Sequence, residues 1–308
     1  MTLLDGKSLS NAIESDLQDK IKALSSRGIT PGLAVILVGN NPASCAYVHM
    51  KAKACKRVGI YSSTHEMPST ITQDELLSVI EILNNNPNID GILIQLPLPT
   101  HIDTSKILES IAPHKDVDGF HPFNMGRLSV GLGGFVPATP LGVMNLLRAY
   151  DIDVSGQDVA IVGMSNIVGK PLASLMLNAG ASVSCCHILT RDVSAYTRAA
   201  DIICVGVGKP SLITADMVKQ GAIVVDIGIN RLESGALVGD VAFDEVAPKC
   251  SFITPVPGGV GPMTIATLLQ NTYKAALLRA KPSNGLNNGL DSELDLGASE
   301  DKIGAQQV

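Results

Sequence analysis

The chain has 308 residues, enough for two domains of ordinary size. Its formal net charge is −6 and it carries no basic stripe, so nucleic-acid binding by phosphate neutralisation has no footing. Hydrophobic residues make up 45% and aromatic ones only 3%, with no tryptophan, so aliphatic side chains must fill the cores.

The longest apolar runs, such as Gly91 to Leu96 and Ala222 to Ile227, are too short to span a bilayer. Met1 leads into Leu3, Asp5 and Lys7 without an apolar export segment, so the expected location is cytoplasmic and reducing. The six cysteines, Cys45, Cys55, Cys185, Cys186, Cys204 and Cys250, form no CxxC pair and read as buried free thiols.

In chain order, Leu33 to Val38 reads as a buried strand ending at Gly39. Asn41-Pro42 then pairs an N-cap with a proline at the first helical position, opening a helix to about Val58 that Gly59 can stop. A strand at Tyr61 to Glu66, a helix at Gln73 to Leu83, a strand at Gly91 to Leu96 and a helix at Ser105 to Ile111 follow. A helix at Leu141 to Tyr150 leads into a second series of strands: Asp158 to Val162, Ser182 to Cys186, Ile202 to Val205, Ile223 to Ile227 and Phe252 to Thr254. A helix from Lys170 to Leu177 sits between the first two, and another from about Met263 to Arg279 closes the series. Such alternation implies βαβ units and parallel sheets, hence two α/β domains. The expected division is a catalytic domain at 1–145, a Rossmann-type domain at 146–262, a C-terminal helix at 263–281 docking back on the first domain, and a disordered acidic tail at 282–308.

Gly163-Met164-Ser165-Asn166-Ile167-Val168-Gly169 lies between a strand and a helix. Glycine there admits a pyrophosphate close to the backbone, and the helix N-terminus offers amide donors and a favourable dipole. The next strand ends in His187-Ile188-Leu189-Thr190-Arg191, with no carboxylate before Asp192 to accept a ribose 2′-hydroxyl. Thr190 and Arg191 suit a 2′-phosphate, so NADP is expected rather than NAD.

In the first domain, Val48, Ala52 and Cys55 share an apolar helical face, and Ser44, Tyr47 and Lys51 form the adjoining stripe. Gln95 is the first polar side chain after the apolar Ile92-Leu93-Ile94, at a strand end where open α/β sheets bind ligands. Asp116 and Asp118 follow, with Asp118-Gly119 also readable as a turn. His114, Asp116, Asp118 and His121 could be read as metal ligands, but nothing else in the sequence supports a metal, and none is expected.

Ser44-x-x-Tyr47-Val48-x-x-Lys51, Gln95-Leu-Pro-Leu-Pro99, Lys115-Asp-Val-Asp-Gly119, Gly163-x-Ser165-x-Ile-Val-Gly169-x-Pro171 and Thr254-Pro-Val-Pro-Gly-Gly-Val-Gly-Pro-Met-Thr264 stand in this order. Together, from about Leu4 to Arg279, they resemble the bifunctional methylenetetrahydrofolate dehydrogenase/methenyltetrahydrofolate cyclohydrolase family. The resemblance implies oxidation of 5,10-methylenetetrahydrofolate by NADP and hydrolysis of the methenyl product to 10-formyltetrahydrofolate, both in one cleft. It implies that Lys51 is the catalytic lysine of hydrolysis, that Gln95 holds and tunes it, and that Tyr47 stacks on the aminobenzoate ring. Asp118 would grip the pterin, beside Ser44 and a backbone wall from Pro257 and Gly258 to Gly261. Gly163, Met164, Ser165 and Gly169 would line the dinucleotide, with Thr190 and Arg191 at its adenosine end and Ile229 near the nicotinamide. It also implies a homodimer formed through the cofactor domain. Met164 and Ile188 depart from relatives that place polar or basic residues there, which leaves the 2′-phosphate to Thr190 and Arg191. The alternatives are a monofunctional NAD(P)-dependent methylenetetrahydrofolate dehydrogenase, a different NADP dehydrogenase of shikimate-dehydrogenase-like layout, and a non-catalytic folate-binding protein.

Overall fold

A computed structural model describes residues 1–280; the expected tail at 282–308 lies outside the described residues. The elements in order are β1 (Thr2–Leu3), α1 (Gly6–Ser25), β2 (Gly32–Val38), α2 (Pro42–Val58), β3 (Tyr61–Met67), α3 (Gln73–Asn85), β4 (Gly91–Ile94), α4 (Thr104–Glu109), α5 (Pro122–Ser129) and α6 (Ala138–Ala149). The second half contains β5 (Asp158–Val162), α7 (Gly169–Asn178), β6 (Ser182–Cys186), α8 (Ser194–Thr197), β7 (Ile202–Val205), β8 (Ile223–Asp226), β9 (Asn230–Arg231), β10 (Leu237–Val238), α9 (Phe243–Val246), β11 (Phe252–Ile253) and α10 (Val260–Ala280).

Two parallel sheets result. The smaller has the order β3-β2-β4, and the larger the order β1-β11-β8-β7-β5-β6. All neighbouring pairs in both sheets are parallel. Both faces of each are covered, which is why β2, β4 and β7 are continuously apolar and buried rather than alternating. In the large sheet the chain leaves β5 to pair β6 on one side and then crosses to β7 on the other. That reversal opens a crevice at the C-terminal end of β5, where the Gly163 turn begins.

Several expected elements change at their ends, and some are new. The strand expected at Gly91 to Leu96 stops at Ile94, because Gln95 turns out of the sheet after its N–H bonds the Ile36 carbonyl at 2.9 Å. The helix expected from Leu141 begins at Ala138, and the one expected from Met263 begins at Val260. The twenty-residue α1, not anticipated above, is capped by the Asp5 carboxylate, which accepts from Ser8 N–H at 3.0 Å. Its buried Leu17 and Ile21 join the core cluster shared with α2 and α10. The unanticipated α5 starts with Pro122 after His121, whose Nδ1 accepts from Phe123 N–H at 3.0 Å. Four of the six cysteines are buried as expected; Cys45 is half-buried and Cys185 is exposed on the edge strand.

Three contacts join the halves into one body. β1 pairs with β11 in the large sheet, then α1 turns back onto the small domain. α10 packs along both α1 and α6, with the Thr139 and Thr264 hydroxyls 2.9 Å apart. The buried Asn271 on α10 donates from Nδ2 to the carbonyls of Val117 at 2.8 Å and Val136 at 3.0 Å. Replacing Asn271 by alanine strands two buried carbonyls. Urea unfolding of Asn271→Ala should show about 1–3 kcal/mol lost stability; an unchanged midpoint would deny the clamp.

Candidate active site

Helix α2 carries the first group of candidates. Asn41 Oδ1 accepts from Ala43 N–H at 3.0 Å and Ser44 N–H at 3.1 Å, and Pro42 sets the first turn. Gly59, at φ +89°, ends the helix. The buried stripe is Ser44, Val48, Lys51, Cys55 and Val58, a heptad-like spacing. Ala52, expected on that face, lies half-exposed beside it, and Lys51 takes the core-facing place instead.

Lys51 is 8% exposed. Its Nζ donates to Gln95 Oε1 at 3.2 Å. Gln95 is held in this orientation because its own Nε2 donates to the Leu96 carbonyl at 2.9 Å, leaving Oε1 toward the lysine. Burial lowers the Lys51 pKa below the ordinary lysine value, while the negative charge of Asp118 works in the opposite direction. Tyr47, one turn earlier, is half-buried, and burial raises its phenol pKa.

The Lys115–Gly119 segment runs beside β4, bridging Asp116 to Ile92. Its two aspartates do different work. Asp116 is buried and accepts from Phe120 N–H at 3.1 Å, His121 N–H at 2.8 Å and Asn124 Nδ2 at 2.8 Å. It is a loop clamp, so the metal-ligand reading of His114, Asp116, Asp118 and His121 fails on its most buried member. Among the described residues no group of three or more His, Cys, Asp or Glu is arranged to hold a metal. Asp118 has no hydrogen bond to its carboxylate from any described residue and lies within the field of Lys51. Burial pushes its pKa up to about 6, the Lys51 ammonium pulls it down, and Asp116 adds to the rise. Gly119 is obligatory: at φ +74° it lies so close to Val136 and Pro137 that a Cβ would come within 2.6 Å of their backbone.

The third wall is Thr254–Gly261. The Gly258 carbonyl accepts from Lys7 N–H at 2.9 Å, and Gly6 packs so tightly on Gly259 that a Cβ would fall 1.9 Å from its carbonyl oxygen. Pro257 is exposed and Gly261 is half-exposed. Ile229, 44% exposed after β8, reaches toward Gly261, where an added Cβ would sit 3.5 Å from its Cδ1. The residues expected on the dinucleotide side and on the folate side therefore meet here.

The dinucleotide turn is equally confined. Gly163 has φ +106°, and a Cβ on it would come within 2.4 Å of the Gly206 carbonyl oxygen. A Cβ on Gly169 would meet the Gly163 carbonyl oxygen at 1.8 Å. No side chain caps α7, so its N-terminus faces the crevice, and Ser165 Oγ accepts from Val168 N–H at 3.2 Å within the turn. Met164 is half-buried against the core. Glycine at both close approaches and an uncapped helix N-terminus fit a pyrophosphate. Beyond β6, Thr190 Oγ1 accepts from His187 N–H at 2.9 Å, leaving its own O–H free to donate; Arg191 is exposed. Ile188 and Leu189 stand out into solvent, 98% and 81% exposed, between them.

Two buried aspartates beside the cleft were not singled out from the sequence. Asp226, at the end of β8, and Asp240, fully buried after β10, hold the loops around Ile229. An acid closing the apolar run Ile223-Val224-Val225 was the visible signal.

Fold and cleft together define a two-domain α/β enzyme in which a dinucleotide-binding sheet faces a smaller catalytic domain. The family model described as the tetrahydrofolate dehydrogenase/cyclohydrolase catalytic domain matches residues 4–118, and that family's NAD(P)-binding domain matches residues 137–280. The chain belongs to the tetrahydrofolate dehydrogenase/cyclohydrolase family. It is 79% identical over 279 residues to the bifunctional protein FolD of Helicobacter hepaticus, an alignment covering 91% of this chain and 98% of that one. The crystal structure of the bifunctional enzyme FolD from Campylobacter jejuni superposes with a TM-score of 0.90 at 60% identity, covering 91% of this chain and 99% of the other. The Trypanosoma brucei enzyme, complexed with NADP cofactor and inhibitor, superposes with a TM-score of 0.89 at 35% identity over 92% of this chain and 99% of that one.

The carboxylate of Asp118 must be ionised to accept N–H donors from a ligand, so its raised pKa has a signature. KM for the folate substrate should rise as pH falls through about 6. A flat KM between pH 5 and 8 would remove Asp118 from the binding site.

Proposed function

We propose that the two reactions share the cleft bounded by Lys51, Asp118 and the Pro257–Gly261 wall. The observation carrying this reading is the buried Lys51 bonded to Gln95 and within the field of Asp118. The enzyme oxidises 5,10-methylenetetrahydrofolate to the methenyl cation with NADP and hydrolyses that cation to 10-formyltetrahydrofolate. Residues 1–145 with the C-terminal helix hold the folate, and 146–262 hold the dinucleotide.

In the first reaction the substrate nitrogens stabilise the cation as hydride leaves, so the protein's part is positioning. Bound NADP supplies the hydride acceptor. Asp118 accepts from the amino and ring N–H groups of the pterin, Tyr47 stacks against the aminobenzoate ring, and Ser44 borders it. The backbone of Pro257, Gly258 and Gly261 presses the reacting carbon toward Ile229. Gly163, Met164, Ser165 and Gly169 would hold the pyrophosphate of the dinucleotide, and Thr190 and Arg191 would hold its 2′-phosphate.

In the second reaction water attacks the methenyl carbon. Neutral Lys51 takes the first proton that the water loses, giving the neutral carbinol. As the C–N bond breaks and the formyl C=O forms, the carbinol hydroxyl proton passes to the released ring nitrogen, and the proton held by Lys51 leaves to solvent. A buried lysine suits this because desolvation disfavours its ammonium form, and the adjoining substrate cation disfavours it further. Gln95 fixes the amine's direction through its bond to Nζ.

Location in the cytoplasm and service to purine and amino-acid biosynthesis through 10-formyltetrahydrofolate complete the reading. A homodimer through the cofactor domain is supported by β6, which ends the large sheet with an open edge and exposed Ser182 and Cys185.

Lys51→Met should abolish methenyltetrahydrofolate hydrolysis, followed spectrophotometrically, while part of the NADP-dependent oxidation persists. Equal loss of both activities in a folded variant would refute the role of Lys51.

A further inference from the structure

Beyond the residues that line the cleft, the large sheet contains a buried carboxylate relay. Asp240 accepts from four donors: Val207 N–H at 2.6 Å, Gly208 N–H at 3.0 Å, Lys209 N–H at 2.9 Å and Asn230 Nδ2 at 2.8 Å. Asp226 accepts from Gly228 N–H at 3.0 Å, Asp240 N–H at 3.0 Å and Val241 N–H at 2.9 Å. Thr254 Oγ1 in turn accepts from Asp226 N–H at 2.7 Å. The chain of bonds thus begins at the first residue of the folate wall, passes under Ile229 and ends in the loop after β7.

That loop sets the depth of the dinucleotide crevice, because the Gly206 carbonyl and Val207 side chain lie against Gly163. Glycine is required on both sides of the relay. A Cβ on Gly239 would lie 1.8 Å from Asp226 Oδ2, and one on Gly228 would lie 2.4 Å from Asp240 Oδ1. Among the described residues neither carboxylate has a cationic partner; backbone N–H groups and the Asn230 amide surround them, as in an anion nest turned inward. Such donors could be satisfied by any local turn, yet here they draw the segments after β7, β8 and β10 to one point.

We propose that Asp240, seated by Asp226, is a positioning residue for the dehydrogenase, holding Val207–Lys209 and Asn230 so that the crevice between Gly163 and Ile229 accepts the nicotinamide end of the dinucleotide. The inference rests on the dinucleotide lying at the Gly163 turn. Neither aspartate hydrogen-bonds Lys51, and Thr254 of the folate wall is joined to the relay through the Asp226 backbone N–H, not through the Asp240 carboxylate or Asn230, so hydrolysis of methenyltetrahydrofolate reports the folded fraction of the same preparation.

The test compares Asp240→Asn, Asn230→Ala and Ile229→Ala with the unaltered enzyme by calorimetric titration with NADP, and by cyclohydrolase turnover on methenyltetrahydrofolate. Asp240→Asn replaces an acceptor oxygen by a donor facing N–H groups, and should weaken NADP binding by about tenfold or more with cyclohydrolase turnover unchanged. Asn230→Ala removes the 2.8 Å bond to Asp240 together with a long 3.5 Å bond to the Val238 carbonyl, leaves the three backbone donors to Asp240 in place, and should weaken binding several-fold in a chain that folds. If Asp240→Asn does not fold, Asn230→Ala decides alone. Loss of binding and hydrolysis in proportion would make the relay purely structural, and unchanged NADP affinity would overturn the proposal. Ile229→Ala separates the two levels: if it alone among the three weakens NADP binding, the site stands and the relay falls. If it leaves binding intact while the relay variants weaken it, the placement of Ile229 beside the nicotinamide is what fails, and the proposal fails with it.

Discussion

One lysine amine kept out of water organises the catalytic side of this protein. Lys51 sits on the core-facing stripe of α2, where a leucine or valine would pack without cost. A lone ammonium in such a place costs several kcal/mol. The surroundings relieve this in three ways: the amine's pKa is depressed, Gln95 Oε1 accepts from it, and the Asp118 carboxylate faces it. Each partner depends on backbone set elsewhere. β4 ends at Ile94 so that Gln95 can leave the sheet. Asp116 gathers the loop N–H groups so that Asp118 has none of its own to bind. Asn271 ties Val117, next to Asp118, to α10.

The dinucleotide side depends on close backbone approach instead of charge. Gly163 and Gly169 pack where no Cβ fits, and the crossover at β5 leaves the crevice open above them. The two sides keep their relation because α10, α6 and α1 interlock and because β1 enters the large sheet before α1 crosses to the small domain. Gly6 against Gly259 fixes the folate wall directly to the start of α1. One interlocked frame thus brings the two sides to a common cleft, which suits an enzyme whose first product is the second substrate.

Much of this was legible in the sequence. The apolar runs of β2, β4, β5, β7 and β8 announced a covered parallel sheet, and Asn41-Pro42 and Gly59 marked both ends of α2. Helix α1 was readable too, in retrospect: Leu9, Ile13, Leu17, Ile21 and Leu24 recur at helical spacing behind a capping Asp5. What local pattern does not carry is long-range pairing. Nothing in Thr2-Leu3 tells that the strand joins β11, some 250 residues on. The same holds for the division of labour between Asp116 and Asp118, which share a motif yet have different partners. Local spacing placed Ala52 on the buried face; the tertiary packing of α2 against β2 and α10 rotated Lys51 there instead. The Asp226–Asp240 relay was hidden for the same reason, because its donors come from three separate loops.

The central claim is that burial primes Lys51 to act as a base, with Asp118 restraining the effect. The direct measurement is the titration of the Lys51 side chain by carbon NMR in the lysine-labelled enzyme and in Asp118→Asn. The account predicts a pKa below the ordinary lysine value of about 10.4, and a lower one still once the Asp118 charge is removed. An ordinary value in the unaltered enzyme, or no response to Asp118→Asn, would contradict it.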